Sequence, residues 1–198
     1  GKPVPVVLRE ERGYQYDPAE IEAAVTPRTK AIFVNTPHNP IGAVASRETL
    51  EAIAQIAEKH NLVLISDEAY EHVLYGGAEH ISLGSLPGAR ERTVSVYSMS
   101  KTYAMSGLRL GYLVINDTLL LERIKKLVRC TINGVNSVTQ YGAAAALNGP
   151  QDATRSMAAE YQLRRDMLLV ALEESPYLEP FKPGGAFYFW AKIKKEWP

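Results

Sequence analysis

Three short apolar segments, each of strand length, alternate with segments of helical periodicity in the first half of the chain. They are residues 31–34 (AIFV), 62–65 (LVLI) and 93–97 (TVSVY). Uninterrupted apolar segments of this kind are typical of strands that are buried on both faces of a parallel sheet. The alternation therefore predicts an α/β fold, in which helices flank a mostly parallel sheet.

Capping residues and turn residues set the expected bounds of the remaining elements. Helices are expected over residues 18–25, 47–59, 118–130, 137–147 and 152–174. Further strands are expected over residues 4–8, 110–115 and 187–191. The chain opens without Met on a strand-like segment and stops soon after a strand that has nothing to pair with. We therefore expect sequence to be missing at both ends.

Composition excludes several classes of protein. The 198 residues include 22 basic and 22 acidic side chains, so the formal net charge is zero and neither a nucleic-acid nor a membrane partner is indicated. No apolar segment approaches the length needed to span a bilayer. Cys130 is the single cysteine and cannot form an internal disulfide, so a reducing, cytoplasmic setting is expected.

Polar side chains end the three apolar segments and populate the loops that follow them. The segment ends carry Asn35, Asp67 and Ser98, and the loops carry Asn39, Tyr70, Lys101 and Arg109. In parallel sheets of this type, ligands bind beyond the carboxyl ends of the strands. We therefore expect an amide, a carboxylate, a phenol, hydroxyls, a lysine and an arginine along one rim of the sheet.

This set of groups matches the needs of a pyridine aldehyde that carries a phosphate and a ring hydroxyl. Such a group requires an amine to form an imine, a carboxylate to keep the ring nitrogen protonated, donors at the ring oxygen and a cationic phosphate site. Lys101 is a candidate amine, since burial favours the uncharged form of a lysine. Arg109, close to several hydroxyls, is a candidate anion site.

Other kinds of site fit the sequence less well. It has neither a glycine-rich dinucleotide fingerprint nor a phosphate-binding loop, and its histidines lack metal-site spacing. Each candidate also has a structural explanation by itself. Asp67 could cap the segment after it, Tyr70 could be a packing residue, and Asn39 could stabilise a proline-rich turn. Arg109 could pair with a surface carboxylate.

Four motifs together resemble the class I/II aminotransferases, which are fold-type I pyridoxal-phosphate enzymes. They are NTPHNPIG at residues 35–42, SDEAY at 66–70, SMSKTYAMSGLRLGY at 98–112 and PGGAFYF at 183–189, in the order of the family. The resemblance implies a large cofactor domain over residues 1–150. It also implies that residues 151–198 form a connecting helix and the first strand of a small α+β domain. The full-length protein is expected to be a homodimer.

The resemblance also implies roles for individual residues. Lys101 matches the lysine that forms a Schiff base with pyridoxal 5'-phosphate and later moves a proton between substrate and cofactor. Asp67 matches the partner of the pyridinium nitrogen. Tyr70 and Asn39 match the hydrogen-bond partners of the ring oxygen.

The implied phosphate ligands are Ser98 and Arg109, with Ser100 as a further candidate. Family members also carry an arginine that binds the substrate carboxylate. No residue of this sequence matches it, because Lys192, Lys194 and Lys195 come too early in the chain.

Amino transfer between an L-amino acid and a 2-oxo acid is the function that the resemblance implies. A pyridoxal-phosphate lyase or synthase of the same fold, such as a carbon–sulfur lyase, would have a similar Lys101 region. An aminotransferase-like sensor domain of a transcription regulator is a third possibility, in which cofactor binding would matter more than turnover. A degenerate piece is disfavoured because Lys101, Asp67 and Arg109 are all present.

Overall fold

A computed structural model describes residues 1–194 of the chain. Its first elements are α1 (Pro18–Ala23), β1 (Ala31–Asn35), α2 (Arg47–Lys59), β2 (Val63–Asp67), β3 (Thr93–Ser98) and α3 (Met99–Thr102). They are followed by β4 (Gly111–Ile115), α4 (Thr118–Thr131), α5 (Ser137–Asn148), α6 (Asp152–Glu173), β5 (Leu178–Pro180) and β6 (Ala191–Ile193).

The main sheet has the strand order β1-β2-β3-β4. The first three strands are parallel, and β4 returns antiparallel to β3. The predicted α/β class and mostly parallel sheet are therefore confirmed. In the ladder Asn35 lies opposite Asp67, which in turn lies opposite Val96, so the carboxyl ends of β1, β2 and β3 meet at one rim.

Helix α2 covers one face of this sheet. Ser46 begins the helix by accepting a hydrogen bond from the backbone N–H of Thr49. The apolar side chains that recur at helical spacing enter one cluster with the alternate residues of β1 and β2; the cluster includes Leu50, Ile53, Ala54, Ala57, Val34 and Leu64. Each fully buried leucine or isoleucine side chain stabilises the folded state by about 1.5–3 kcal/mol. The packing of α2 therefore holds together the strands whose ends form the rim.

The expected strand over residues 4–8 is wrong, because this segment forms no ladder. Pro3 and Pro5 have no N–H to donate, and Val6 packs against the core without strand pairing. The strand expected over residues 110–115 exists as β4, but most of its residues are exposed rather than buried.

The strand expected over residues 187–191 begins only at Ala191. It pairs antiparallel with β5, so the expectation of an unpaired strand there is also wrong. Backbone hydrogen bonds explain why residues 187–190 are not part of the strand. Ala186 donates to the carbonyl of Val73, and Gly184 donates to that of Gly42, which holds this segment against the main sheet's loops instead of a strand partner.

Candidate active site

The end of β2 places Asp67 at the centre of the rim. Its carboxylate accepts a hydrogen bond from the backbone N–H of Ala69 at 3.3 Å, so it does cap the turn that follows. The Asn35 side-chain amide donates to the Asp67 carbonyl at 3.2 Å and ties the ends of β1 and β2 together. The Asn35 side-chain oxygen accepts from the backbone N–H of Asn39 at 2.7 Å, which fixes the start of the proline-rich loop. The Asn39 side chain itself is exposed.

Lys101 lies in α3, a single turn of helix directly after β3. Ser98 caps this turn by accepting a hydrogen bond from Ser100 N–H at 3.2 Å. Met99 and Thr102 are buried and anchor the turn from below, which leaves Lys101 half-buried on its outer side. The Lys101 Nζ atom lies 5.1 Å from the ring centroid of Phe187 and 5.9 Å from that of Tyr70.

Tyr70 is buried beside both Asp67 and Lys101. Its hydroxyl and that of Tyr188 are 2.7 Å apart, and the rings of Phe187 and Tyr188 pack on it edge to face. Burial raises the pKa of Tyr70, and the Tyr188 hydrogen bond and the nearby Asp67 carboxylate raise it further. Tyr70 is therefore a neutral phenol across the physiological range and keeps a proton to donate.

A separate chain of hydrogen bonds links the predicted phosphate ligands. Arg109 donates from Nη1 to the Ser106 carbonyl at 2.7 Å, and the Ser106 hydroxyl donates to the Ser100 carbonyl at 3.0 Å. Arg109 is exposed and pairs with no surface carboxylate among residues 1–194, so the ion-pair explanation for this residue is not supported. Ser98 ends β3, Ser100 lies in α3 and Arg109 lies in the connection to β4, so the three residues belong to one short stretch of the chain around Lys101.

The glycine-rich segment of residues 183–186 brings Phe187 and Tyr188 to the rim. Gly185 could carry a side chain only if its neighbours shifted, because an added Cβ would lie 2.9 Å from the Pro37 Cβ and 2.9 Å from the Val73 carbonyl oxygen. Arg165 from α6 donates to the Pro183 carbonyl at 3.0 Å. This close packing joins the proline-rich loop, the glycine-rich segment and α6.

Sequence reasoning missed several side chains at or near this rim. The aromatic residues of the PGGAFYF motif predict a strand, and this pattern gives no sign that Phe187 and Tyr188 reach the rim. Tyr16 lies outside all four motifs. Its hydroxyl donates to the Asn35 carbonyl at 3.0 Å and accepts from the Asn35 N–H at 2.9 Å, and nothing in the sequence near Tyr16 signals this contact.

The C-terminal lysines are engaged elsewhere. Lys192 forms an ion pair with Glu10 at 2.9 Å, and Lys194 donates to the Ser175 carbonyl at 3.2 Å. Lys195 lies outside the described residues.

The chemistry of these side chains fits a phosphorylated pyridine aldehyde. An amine, a carboxylate and a neutral phenol lie close together at one rim of the sheet, and hydroxyls and a guanidinium belong to the same stretch of chain as the amine, residues 98–109. Within residues 1–194, no group of histidines, cysteines and carboxylates is arranged to hold a metal ion. In the same range no helix is both long and apolar enough to cross a membrane.

Comparison with known proteins decides the family. Residues 1–197 match the family described as aminotransferase class I and II. The chain belongs to this family. One family member, an arginine–pyruvate transaminase of Pseudomonas aeruginosa, is 39% identical over 191 residues, which cover 96% of this chain and 48% of that protein. An aromatic-amino-acid aminotransferase of Thermococcus litoralis is 41% identical over 199 residues, covering 98% of this chain and 50% of the relative.

Solved structures of family members superpose closely on this chain. The aromatic aminotransferase of Pyrococcus horikoshii matches with a TM-score of 0.91 and 39% identity, over 96% of this chain and 51% of the other. An alanine aminotransferase of Pyrococcus furiosus matches with a TM-score of 0.90 and 38% identity, over 99% and 50% of the two chains. The resemblance and the fold-type I architecture are thus confirmed. The chain spans about half the length of the relatives it matches.

Proposed function

We propose that the intact protein is a pyridoxal-phosphate-dependent aminotransferase that transfers an amino group between an L-amino acid and a 2-oxo acid. The observation that carries this proposal is the grouping of Asp67, Tyr70 and Lys101 at one rim of the sheet, in a chain of this family. The relatives are named for arginine, aromatic amino acids and aspartate, so the proposal extends to the class of substrate and not to one amino acid.

The amine and the carboxylate would carry the central chemistry. When bound, the cofactor supplies a ring that accepts electrons from the substrate. Lys101 would hold the cofactor covalently and then, as a free amine, take and return a proton at the substrate carbon. Asp67 would face the ring nitrogen and hold its proton there by charge pairing.

The remaining predicted residues would fix the position of the ring. Tyr70 would donate its phenolic proton to the ring oxygen, and Asn39 would approach the same oxygen from the proline-rich loop. Ser98, Ser100 and Arg109 would hold the phosphate, since a guanidinium can donate two parallel hydrogen bonds to it. We assign residues 1–150 to the cofactor domain and residues 151–198 to the connecting helix and the beginning of the small domain.

Two properties of the intact protein follow by the same reasoning. We infer a reducing, cytoplasmic setting, because Cys130 is an exposed free thiol. We also infer a homodimer, supported by the exposed apolar side chains of α5, where Val138 is 79% exposed and Tyr141 is 81% exposed. Light scattering of the intact protein should give twice the mass of one subunit, and a monomer mass at micromolar concentration would contradict the dimer.

An amino-transfer assay tests the function directly. The intact protein would be supplied with pyridoxal phosphate, one amino acid at a time from a panel including arginine, aspartate, alanine and the aromatic amino acids, and a 2-oxo acid. We expect a new amino acid to form from the 2-oxo acid in step with loss of the donor. Replacing Lys101 by Ala should lower the rate by at least ~10²-fold, because the proton-transferring amine is removed.

Lys125 provides a matched control for this variant. It is an exposed lysine of α4, paired with Glu122 at 2.9 Å, and its replacement by Ala should leave the rate unchanged. Release of ammonia or a thiol without a new amino acid would indicate a lyase instead. Cofactor binding without turnover on any pair of substrates would favour a sensor domain, and full activity of Lys101→Ala would contradict the assignment of the amine.

A further inference from the structure

The hydroxyl of Tyr188 contacts the hydroxyl of Tyr70, and none of the roles proposed above for the site residues accounts for this contact. Its oxygen lies 2.7 Å from that of Tyr70, although 118 positions separate the two residues in the chain. The Tyr188 ring centroid is 5.7 Å from that of Tyr70, in an edge-to-face arrangement. Tyr70 is only 3% exposed, so its hydroxyl meets a protein partner on this side rather than bulk water.

The backbone before Tyr188 imposes this contact. Ala186 donates its N–H to the Val73 carbonyl at 2.9 Å and accepts a hydrogen bond from the Tyr75 hydroxyl. Arg165 donates to the Pro183 carbonyl and lies over the Tyr75 ring at 4.9 Å. Because the segment is held at both its carbonyls and its amides, the Tyr188 side chain is directed to Tyr70 by several independent contacts.

The number of protons in the phenol pair determines the direction of the hydrogen bond. A phenol has one proton to donate and can accept through its oxygen lone pairs. If Tyr70 gives its proton to the ring oxygen of the cofactor, it cannot also give it to Tyr188. The short contact between the two hydroxyls then requires Tyr188 to be the donor.

We propose that Tyr188 is a positioning residue that donates to Tyr70 and thereby commits the single proton of Tyr70 to the cofactor ring oxygen. This inference rests on the proposed function. A phenol that accepts a hydrogen bond is a better donor, by roughly 10–30% per bond in a chain. Tyr188 therefore strengthens the hydrogen bond at the ring oxygen without touching the cofactor.

Other ionisable groups face this pair and enter the expected pH behaviour. Lys101 approaches the Tyr70 ring from α3, and Asp67 acts on Tyr70 from the end of β2. Tyr161 packs on Phe187 from α6, with ring centroids 5.6 Å apart. Removal of the Tyr188 oxygen leaves Lys101, Asp67 and Tyr161 in place, so a change in titration would report on the phenol pair.

A pH titration of the absorbance of the bound cofactor, in the intact loaded enzyme, tests the role of Tyr188. The quantity compared between variants is the pH at the midpoint of this titration. A hydrogen bond into the ring oxygen draws negative charge away from the nearby Lys101 nitrogen, so weakening that bond lets the nitrogen keep its proton to higher pH. Tyr188→Phe should raise the midpoint by roughly half a pH unit, and Tyr70→Phe should raise it by more. In the double variant the Tyr188 substitution should add nothing, because its effect passes through Tyr70.

Tyr161→Phe is the matched control, since it removes a phenol oxygen from the same aromatic cluster and leaves the Tyr70–Tyr188 pair intact. Its midpoint should equal that of the wild type. If Tyr188→Phe does not fold, Tyr188→Leu serves in its place, because it also removes the hydroxyl that meets Tyr70, adds no titratable group and should also raise the midpoint. An unmoved midpoint in the variant that folds would overturn the inference, as would equal shifts with and without the Tyr70 hydroxyl.

Failure of the inference can be told apart from failure of the proposed function. If the cofactor is attached at Lys101 and Tyr70→Phe moves the midpoint but Tyr188→Phe does not, the function stands and the role of Tyr188 is wrong. If no cofactor is attached at Lys101 in the wild type, both are wrong.

Discussion

The buried carboxylate of Glu68 and the half-buried carboxylate of Glu71, both close to the site, differ in how their oxygens are hydrogen-bonded. Glu68 accepts hydrogen bonds from His80 at 2.7 Å, from Ser82 at 3.0 Å and from Tyr97 at 3.0 Å. Burial opposes ionisation of Glu68, but its hydrogen bonds with His80 and Tyr97 act in the opposite direction, and the pKa of Glu68 is lowered. Glu71 has one oxygen bonded to the Thr102 hydroxyl and the other buried without a partner among residues 1–194, so burial raises its pKa.

Because the pKa of Glu71 is raised, replacing Glu71 by an uncharged residue should stabilise the fold at neutral pH and not at acidic pH. A raised folded-state pKa means that the contribution of Glu71 is fully present below its ordinary value of 4.5 and is lost as the pH rises through the raised pKa. Glu71→Gln keeps an oxygen for Thr102 but carries no charge. It should raise the melting temperature at pH 7 by about 2 °C and leave it unchanged at pH 4.

The control for this measurement is Glu174→Gln, which removes a charge from an exposed position after α6. Differential scanning calorimetry of both variants at the two pH values separates burial from net charge. A Glu71→Gln protein that is less stable than the wild type at pH 7 would contradict the account of this carboxylate.

At the scale of elements, the helix that carries Lys101 is too short to be stable by itself. A single turn fixes several residues for very few hydrogen bonds, so α3 depends on tertiary contacts. Met99 is 1% exposed, and the Thr102 carbonyl accepts a hydrogen bond from Thr154 of α6 at 3.3 Å. The position of Lys101 is thus set by α6 and the core, and not by helix propensity.

The glycine-rich segment is the other element that shapes the site, and Gly185→Ala tests it. The added Cβ would meet the Pro37 side chain and the Val73 carbonyl oxygen, both at 2.9 Å, so the segment must shift. We expect a loss of about 1–3 kcal/mol in the free energy of unfolding, measured with urea, together with weaker cofactor binding as Phe187 moves from Lys101.

Gly142→Ala is the matched control for this substitution. Gly142 lies inside α5 with open space around the position of a Cβ, so alanine there should be neutral or stabilising by up to about 1 kcal/mol. Equal stability of Gly185→Ala and the wild type would show that the segment is not packed as described.

The sequence predicts β1, β2 and β3 well because each is a short, mostly apolar segment, which is typical of a buried strand. Such segments predict neighbouring strands of a parallel sheet. The carboxyl ends of parallel strands lie at the same edge of the sheet. Asp67, Tyr70 and Lys101 could therefore be predicted to meet. Their roles remain predictions, as do those of Asn39 and Arg109, whose side chains are exposed.

Other features could not be predicted, for physical reasons. A hydrophobic pattern reports burial and not direction, so it did not reveal that β4 runs antiparallel. The aromatic residues after Ala186 have high strand propensity, but hydrogen bonds from Gly184 and Ala186 to distant carbonyls override it. The phenol pair of Tyr70 and Tyr188 depends on that override, and local sequence contains no sign of it.

At the scale of the whole molecule, the two faces of the main sheet differ. Helix α2 covers one face, whereas Phe33 and Leu113, which point to the other face, are 61% and 40% exposed. The rim lies at the strand ends and therefore borders both faces of the sheet. Its side chains come from four stretches of the chain, 35–39, 67–70, 98–109 and 183–188, so the site forms only when the sheet, the proline-rich loop, α3 and the glycine-rich segment assemble together.

Among residues 1–194, Lys101 is the one lysine placed to hold the cofactor beside Asp67 and Tyr70. Borohydride reduction of the intact protein loaded with pyridoxal phosphate fixes the covalent link, and peptide mapping by mass spectrometry locates it. We expect one pyridoxyl adduct, on the peptide that contains Lys101, and none in Lys101→Ala. An adduct on a different lysine of the folded protein, or stable cofactor binding with no adduct at all, would contradict this expectation.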